Sequence, residues 1–322
     1  MLATCVPRRV GRRTSRNAHN LKLAERLESS SLLVILPFLD LTDEQIKYQV
    51  SAFLSSAKGQ QIKVLFLNNN SITDKGLQWL YLPPGVTNLN LMGNVGISDL
   101  GMCTLASKLC HLSQLNLSGI TKLSPMAWGE LGKHLVNVRV LELKRCALQD
   151  DCLLALFSQD DCLLQLRQLF LSGNFITDAG VHTLAKRGRR LRGLEVLALD
   201  TNRLTDLTIT GGTALGDLLQ QTRLREVNLG RNVRIGDIGA NELCRMLQQD
   251  AICLRSLKFE GFHLSNDGYK ELDRVTLFTR STEFALVLNL LAKYARMEQN
   301  PRAERPSPFP RDLVRHLSRM LL

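Results

Sequence analysis

The 322-residue sequence lacks the features that would indicate a membrane span or a disulfide-stabilised fold. No apolar run approaches the ~18 residues that a membrane-spanning helix needs, and the longest one, residues 32–36, ends at Pro37. The eight cysteines include no CxxC pair, which is typical of buried cysteines in a reduced intracellular protein. We therefore expect no transmembrane segment and no disulfide framework.

Residue patterns for catalysis and metal binding are also missing. The six histidines have neither metal-ligand nor nucleophile-partner spacing, and no serine or cysteine lies in an activating motif. The glycine-containing stretch 209–216 lacks the Gly-Lys-Ser/Thr ending of a phosphate-binding loop, so we interpret it as a lengthened loop before a helix. The sequence therefore predicts a protein without enzyme activity, cofactor, bound metal or small-molecule substrate.

The net charge of +11 comes almost entirely from the two ends of the chain. Residues 1–24 contain six basic residues and no acidic one, and residues 269–322 contain ten basic and six acidic residues. The stretch between them, 25–268, is nearly neutral, with 25 basic and 24 acidic side chains. Electrostatic attraction to nucleic acid or anionic lipid is therefore expected first at the ends.

Residues 1–30 form a basic N-terminal segment. An arginine-rich stretch without acidic residues resembles a mitochondrial targeting sequence, although Pro7 and Gly11 weaken a helix there. We expect mitochondrial localisation, with a basic cytoplasmic or nuclear tail as the alternative. The arginines of this segment are also weak candidates for nucleic-acid binding, and they include Arg8, Arg9, Arg12 and Arg13.

A pattern of the form LxxLxLxxNxIxDxG recurs eight times between Ile62 and Gly268. The clearest copy contains Leu166, Leu169, Leu171, Asn174, Ile176, Asp178 and Gly180. The copies begin 24 to 30 residues apart, at Ile62, Val86, Leu112, Val138, Leu166, Leu194, Leu224 and Leu254. Periods in this range indicate a solenoid, in which stacked units share one core and present one long surface.

Each copy predicts a strand, a turn and a helix. In Leu169, Phe170 and Leu171, the leucines are expected to point inward and the middle residue outward. Thr177 and Asp178 are typical of a helix start. The asparagine of the turn is expected to bond buried backbone groups, and it is present as Asn70, Asn94, Asn174, Asn202 and Asn232. Cys146 replaces this asparagine in one copy, and Ile120 and Phe262, which cannot make those bonds, replace it in two others.

The repeat resembles that of the ribonuclease-inhibitor-like leucine-rich-repeat proteins, and the resemblance covers about two thirds of the chain. It implies an α/β fold, a leucine-rich-repeat solenoid or horseshoe with parallel inner strands, outer helices and a helical C-terminal cap. It also implies that cysteine can take the place of the asparagine in the turn, as is common in this class. The resemblance further implies that the concave strand surface binds a partner.

A shortened repeat is expected before the first copy. Leu33, Leu36 and Phe38 lie about one period before Ile62, and a helix is predicted from Glu44 to about Ala57. The predicted solenoid therefore covers residues 31–268, as one degenerate repeat and eight full ones.

The repeat pattern stops after Gly268. We predict a helical cap over residues 269–300, a Pro-rich linker over 301–310 and a basic amphipathic tail helix over 311–322. This tail is expected to dock on a partner protein, with an anionic membrane or the solenoid itself as alternatives.

The middle residues of the predicted strands define the candidate protein-binding surface. They are Phe66, Asn90, Asn116, Glu142, Phe170, Ala198, Asn228 and Lys258. Phe66 and Phe170 are the expected binding hot spots, because apolar rings at interface centres carry a large share of the binding energy. The alternative is that both rings pack under a terminal segment of the same chain.

A second candidate site is the densest basic run of the solenoid. It comprises Lys186, Arg187, Arg189, Arg190 and Arg192. Such a run is consistent with phosphate contacts or a nuclear signal, and the alternative is a set of cations favoured by the end of the preceding helix. Aromatic residues that would stack on bases are absent from the run.

The expected function is that of a non-enzymatic scaffold that binds a protein or a large complex with its concave face and basic termini. If the N-terminal segment is a targeting sequence, the expected setting is a mitochondrial assembly such as the ribosome or a respiratory complex. The alternatives are an RNA- or ribosome-associated subunit with basic tails on phosphate, a regulator of a GTPase, and a ubiquitin-ligase adaptor.

Overall fold

The computed structural model describes residues 23–27, 32–159, 161–210, 214–247, 254–268 and 270. Nine strands of three residues form one parallel sheet whose spatial order is the order of the sequence. The strands are β1 (Leu33–Ile35), β2 (Val64–Phe66), β3 (Asn88–Asn90), β4 (Gln114–Asn116), β5 (Val140–Glu142), β6 (Gln168–Phe170), β7 (Val196–Ala198), β8 (Glu226–Asn228) and β9 (Ser256–Lys258). The predicted α/β solenoid of parallel strands is confirmed, whereas the predicted cap, linker and tail lie outside the described residues.

Helical segments connect successive strands. The first connection is a continuous helical stretch made of α1 (Asp43–Gln45), a π-helical segment (Ile46–Val50) and α2 (Ser51–Ser55). The later helices are α3 (Asp74–Trp79), α4 (Asp99–Ala106), α5 (Pro125–His134), α6 (Asp150–Leu156), α7 (Asp178–Lys186), α8 (Ala214–Gln221) and α9 (Asp237–Leu247), with 3-10 turns at Gly59–Gln61 and Asp206–Thr208. The stretch interpreted as a loop over 209–216 is shorter than predicted, because its last three residues already belong to α8.

The core lies between the sheet and the helices. In the sixth repeat, Leu169 and Leu171 of the strand and Val181 and Leu184 of α7 are all fully buried, while Phe170 remains partly exposed. Thr177 caps α7 by accepting a hydrogen bond from the Ala179 N–H, as predicted for a helix start. Burial of these leucines removes apolar surface from water and is the main driving force for stacking the units.

The asparagines of the turns join each repeat to the one before it. The Asn174 amide donates to the carbonyl of Leu143 in the preceding repeat and to that of Leu171 in its own, each at 2.8 Å. Its oxygen accepts from the backbone N–H groups of Cys146 and Leu148 at 2.9 and 3.1 Å. Asn70, Asn94, Asn202 and Asn232 make equivalent bonds, which confirms the predicted role of this residue.

Three repeats lack this asparagine and show how it can be replaced. The Cys146 Sγ lies 3.3 Å from the Leu117 carbonyl and 3.5 Å from the Lys144 carbonyl, so a thiol stands where the amide would donate. Ile120 and Phe262 are buried apolar residues at the equivalent position. Their turns keep a left-handed residue just before them, Gly119 and Gly261, so the turn survives without the amide.

A second set of inter-repeat bonds comes from the aspartates that begin the helices. Asp150 accepts from the Thr177 N–H at 2.9 Å and from the Thr177 hydroxyl at 2.5 Å, so each helix start holds the helix start of the next repeat. The same pair of bonds joins Asp43 to Thr73, Asp74 to Ser98, Asp99 to Ser124 and Asp178 to Thr205. Asp206 and Asp237 bond backbone N–H groups of the following repeat.

In the fourth repeat, Pro125 stands where the neighbouring repeats have the aspartate of the helix start. No carboxylate from this repeat therefore bonds the start of α6. The two helices pack closely instead, because Gly132 of α5 lies directly against the Leu156 carbonyl and a Cβ there would clash with it. Close approach of the two helices therefore replaces the carboxylate link between the fourth and fifth repeats.

The shortened first repeat exists, but its predicted register is wrong by two residues. Val34 pairs with Leu65, and Val34 and Leu36 are fully buried, whereas Leu33 and Phe38 are 42% and 74% exposed. The spacing of Leu33, Leu36 and Phe38 imitates the repeat pattern, yet the chain places alternate residues of 33–36 on the two faces of the sheet. The helical stretch behind it begins at Asp43 and ends at Ser55, close to the predicted bounds.

Substitution of Asn174 by alanine tests the amide series. It leaves buried backbone N–H and C=O groups in two repeats without partners, so we expect the free energy of unfolding in urea to fall by about 3–4 kcal/mol. Asn137, an exposed asparagine whose amide makes one bond to the Cys110 carbonyl, provides the control, and its replacement by alanine should cost less than about 1 kcal/mol. Equal losses in the two variants would contradict the structural role of Asn174.

The packing of Gly239 against Asp206 gives a second prediction. A Cβ on Gly239 would meet the Asp206 carboxylate of the preceding repeat, so Gly239→Ala should destabilise the protein by about 1–3 kcal/mol although alanine favours a helix. In an Asp206→Ala background the same change should cost less than about 1 kcal/mol, because the remaining neighbours, Ile235 Cγ2 at 3.1 Å and Ile209 Cδ1 at 3.2 Å, are ends of side chains that can shift. The control is Gly236→Ala, because a Cβ there stays 3.6 Å from that carboxylate. A cost at Gly239 that is identical in both backgrounds, measured by urea unfolding, would refute the contact.

The buried thiol of Cys146 gives a third prediction. Burial raises the pKa of Cys146 to about 12, so the thiol stays protonated throughout pH 7–9 and lacks the reactive thiolate. We expect iodoacetamide to alkylate Cys146 at least tenfold more slowly than the half-buried Cys110 in folded protein, as measured by mass spectrometry of their peptides. Unfolding in urea should remove the difference, and equal native rates would disagree with burial of Cys146.

Candidate functional site

The solvent face of the sheet, which we call the strand face, carries the predicted protein-binding residues in one continuous row. The third residues of β2 to β9 are paired across neighbouring strands in the order Phe66, Asn90, Asn116, Glu142, Phe170, Ala198, Asn228 and Lys258. The predicted register of these eight strands is therefore the observed one. Ile35, which is 45% exposed, extends the row onto β1 and was missed because of the register error in the first repeat.

A second row on the strand face was not singled out in the sequence. It consists of the first strand residues, which point to the same side as the third residues because side chains alternate along a strand. This row contains Val64, Asn88, Gln114, Val140, Gln168, Val196, Glu226 and Ser256. Counting back two residues from each member of the first row would have found it.

The part of the strand face over β3 and β4 is rich in amides that already have partners. The Asn88 amide donates to the Gln114 side-chain oxygen at 2.9 Å. The side-chain oxygens of Asn90 and Asn116 accept from the Met92 and Ser118 N–H groups at 3.0 and 2.9 Å. These side chains therefore help to fix the turns that follow their strands, besides facing solvent.

The part of the strand face over β6 to β9 contains a depression of about 530 Å³, which we call the hollow. Its lining includes Phe170, Val196, Ala198 and Asn228 from the two rows. The hollow exists because Ala198 has only a methyl group between the larger side chains of Phe170 and Asn228 on the neighbouring strands. It offers an apolar floor of a size that accepts a few side chains.

Asp200 organises the polar wall of the hollow. Its Oδ1 accepts from the Ser172 hydroxyl at 2.6 Å and from the Asn228 amide at 2.9 Å. The Asn228 side-chain oxygen accepts from the Gly230 N–H at 3.1 Å. Asn228 is therefore held in one orientation by groups on two repeats.

Four cations line the hollow, namely Lys144, Arg145, Arg231 and Lys258. Lys144 already has two partners. Its Nζ forms an ion pair with Glu142 Oε2 at 2.9 Å and lies 4.5 Å from the centre of the Phe170 ring. The other three are exposed and form no ion pair with any carboxylate in the described ranges. Only two carboxylates, Asp200 and Glu226, stand in the lining, so the hollow has an excess of positive charge.

The sequence-predicted basic run lies away from the strand face, at the end of α7 and in the connection to β7. Arg187 and Arg190 are half-buried, and the Arg187 guanidinium donates to the Ser158 carbonyl at 3.3 Å. Lys186, Arg189 and Arg192 are exposed. The structure thus splits the run into three cations that face solvent and two that contact the chain itself. The basic N-terminal residues Arg8, Arg9, Arg12 and Arg13 lie outside the described residues.

No group of three or more His, Cys, Asp or Glu side chains in the part of the chain that the structure describes is arranged to hold a metal ion. Among the helices of the same residues, none combines the length and apolar character needed to cross a membrane.

Comparison with known proteins gives results that agree with the repeat. A family model described as Leucine Rich repeat matches residues 220–244, which contain β8 and most of α9. NACHT, LRR and PYD domains-containing protein 3 of Bos taurus is 29% identical over 259 residues, which are 76% of this chain and 24% of that protein. The ribonuclease inhibitor of Sus scrofa is 28% identical over 253 residues, which are 73% of this chain and 53% of the inhibitor. The chain thus spans about a quarter of the first relative and about half of the second.

Among solved structures, the yeast Rad7 and Elc1 complex contains a similar chain. It aligns with 81% of this chain and 80% of its own length, at 17% identity and a TM-score of 0.36, which is too low for any functional inference. The fold assignment therefore depends on the nine-stranded parallel sheet and its repeated strand, turn and helix. Together with the matches to a repeat model and to ribonuclease inhibitor, this unit confirms the predicted resemblance to the ribonuclease-inhibitor-like leucine-rich-repeat proteins.

Proposed function

We propose that this protein is a non-enzymatic scaffold that binds a partner protein on the strand face. The observation that carries the proposal is the hollow beside Phe170, with unpaired cations around an apolar floor on an otherwise regular surface. Similarity to the leucine-rich-repeat proteins supports a protein-binding role, because repeat solenoids of this kind present one long surface to other molecules.

The dimensions of the strand face are adequate for such an interface. Nine strands at a spacing of roughly 4.8 Å give a surface about 38 Å long. A stable protein interface buries about 800 Å² on each partner, which a surface of this length can supply. The backbone hydrogen bonds of neighbouring strands are made within the sheet, so recognition on this face falls to the side chains of its two rows.

Phe66 and Phe170 are the proposed hot spots within this face. Both rings are half-buried in the described structure and stand in the first row, Phe66 near one end and Phe170 at the edge of the hollow. Lys144 covers part of the Phe170 ring, which limits the number of conformations that the ring and the lysine adopt. A partner that meets such preordered side chains loses less entropy on binding.

We further propose a mitochondrial setting, on the basis of sequence alone. The arginine-rich, acid-free stretch of residues 1–24 supports import, and the basic ends would then contact a large mitochondrial assembly. The same charge distribution favours one second candidate, an RNA-associated subunit whose ends bind phosphate while the strand face holds a protein. In that case the association should weaken steeply as salt is raised.

Replacement of both rings tests the proposed protein-binding role. We expect Phe66→Ala/Phe170→Ala in the full-length tagged protein to reduce the recovery of its main partners at least tenfold, because loss of hot-spot aromatic rings costs upwards of about 2 kcal/mol. The measurement is quantitative mass spectrometry of proteins that co-purify from the native cell, together with the N-terminal peptide, whose absence would indicate cleavage of a targeting segment.

The matched control removes two exposed apolar side chains outside the strand face. Leu207 and Ile238 are 72% and 68% exposed at the helix starts, and Leu207→Ala/Ile238→Ala should leave partner recovery unchanged. Undiminished recovery with the double phenylalanine variant, or an equal loss with the control, would count against binding on the strand face.

A further inference from the structure

We propose that the hollow receives an extended acidic segment of the partner, which places an apolar side chain over Ala198 and carboxylates beside Arg145 and Arg231. The inference rests on the proposed function, since it names the chemistry of the partner at the same face. It depends on three properties of the hollow, namely its space, its charge and the placement of its arginines.

The space is specific to this part of the strand face. Phe occupies the third strand position in β2 and β6, whereas β7 has Ala198 there, and the about 530 Å³ hollow lies over that methyl group. The comparable depression over β2 to β5, beside Phe66 and the amides, measures only about 80 Å³. The strand face therefore has room for an apolar side chain of a partner at Ala198, and much less room beside Phe66.

The charge of the hollow differs from that of the surrounding solenoid. Residues 25–268 are almost neutral, with 25 basic and 24 acidic side chains, but the hollow has four cations and two carboxylates. Asp200 already accepts two hydrogen bonds from Ser172 and Asn228. Arg145, Arg231 and Lys258, by contrast, have no ion-pair partner among the described residues. Carboxylates are the groups that satisfy such cations, and Arg binds them through two parallel N–H bonds.

The two arginines occupy an unusual backbone position. Each stands just before the asparagine position of its turn, with φ values of 54° for Arg145 and 57° for Arg231. Four other repeats place glycine there, as in Gly93 and Gly119, and two place Asn69 and Thr201; a left-handed residue other than glycine costs about 1 kcal/mol or more. The placement fixes the direction in which each side chain leaves the backbone, at the same point of the turn in both repeats.

Each arginine also lies over a glycine of the next repeat. A Cβ on Gly173 would be 2.9 Å from the Arg145 Cγ, and a Cβ on Gly261 would be 3.3 Å from the Arg231 Cγ. Glycine at these two positions leaves room for the arginine stems to cross the neighbouring turn. The same arrangement therefore occurs twice, on the turns that follow β5 and β8, which lie on either side of the strand that carries Ala198.

The repeat geometry specifies the spacing of the ligand's acidic groups. β5 and β8 are three strand spacings apart, so Arg145 and Arg231 leave the backbone about 14 Å from each other. An extended peptide rises about 3.3 Å per residue, so carboxylates about four residues apart span the same distance. The hollow should therefore select peptides with two acidic residues at that spacing and an apolar residue between them.

Selection of a phage-displayed random dodecapeptide library on the full-length protein tests this inference. We expect the retained peptides to carry Asp or Glu at a separation of four residues with an apolar residue between them. Two hollow variants, Ala198→Phe and Arg145→Glu/Arg231→Glu, should retain those phage at least tenfold less well, because one fills the space and the other reverses the charge. Phe is chosen at position 198 because the equivalent positions in β2 and β6 already accept it.

The control variant reverses two exposed arginines outside the strand face, Arg189→Glu/Arg192→Glu, and should keep the selected phage. Urea unfolding of every variant checks that loss of binding is not loss of fold. Selection of no acidic motif, or equal retention of the motif by the hollow variants, would overturn the inference.

A separate result distinguishes this failure from failure of the proposed function. Peptides retained by both hollow variants but lost with Phe66→Ala, which lies outside the hollow, would show a protein-binding strand face in which the hollow has no part. Peptides retained by all of these variants would contradict both proposals. A fluorescent single-stranded RNA of twenty uridines is included as a probe, and its binding to the wild type with loss in Arg145→Glu/Arg231→Glu would assign the cations to phosphate and overturn the acidic-peptide assignment.

Discussion

The buried asparagine amide is the interaction on which the stack of repeats depends. A strand of only three residues makes few backbone bonds, and the turn that follows it would leave N–H and C=O groups buried without water. Asn174 satisfies such groups in its own repeat and in the one before it, so one side chain closes the turn and joins two units. Where the asparagine is present, it fixes the turn at the same point after each strand, and the neighbouring strands pair in register.

Much of the fold follows from spacing that can be counted along the chain. The pattern of leucines places Phe66, Phe170 and Asn228 on the outward face between two inward apolar residues, and the structure has them there, as the last residues of their strands. The asparagine bonds were likewise predictable, because a buried polar residue between two apolar ones must find partners. The first repeat was the exception, since Leu33, Leu36 and Phe38 match the spacing while Val34 takes the inward position.

Contacts between repeats were less accessible to sequence reasoning. The sequence showed that the pattern contains a glycine, but it did not show why. The reason is that the aspartate carboxylate of the preceding repeat fills the space where a Cβ would be, as Asp206 does beside Gly239. The hollow was missed for a similar reason. Ala198 was recognised as a member of the row, yet a depression arises only when small and large side chains from neighbouring strands are compared in three dimensions. The left-handed backbone of Arg145 and Arg231 was also hidden, because arginine carries no sequence signal for that conformation.

At the junction of the fourth and fifth repeats, Pro125 replaces the linking aspartate and Cys146 replaces the linking asparagine. At this junction the aspartate bond is gone, Cys146 offers a weak thiol in place of an amide, and close helix packing at Gly132 takes over. Apolar contacts lose strength as water cools, whereas hydrogen bonds between buried groups do not share that dependence. The cohesion of the array is therefore uneven in cold and warm conditions. We therefore expect the junction of the fourth and fifth repeats, behind β4 and β5, to loosen before its neighbours when the protein is cooled.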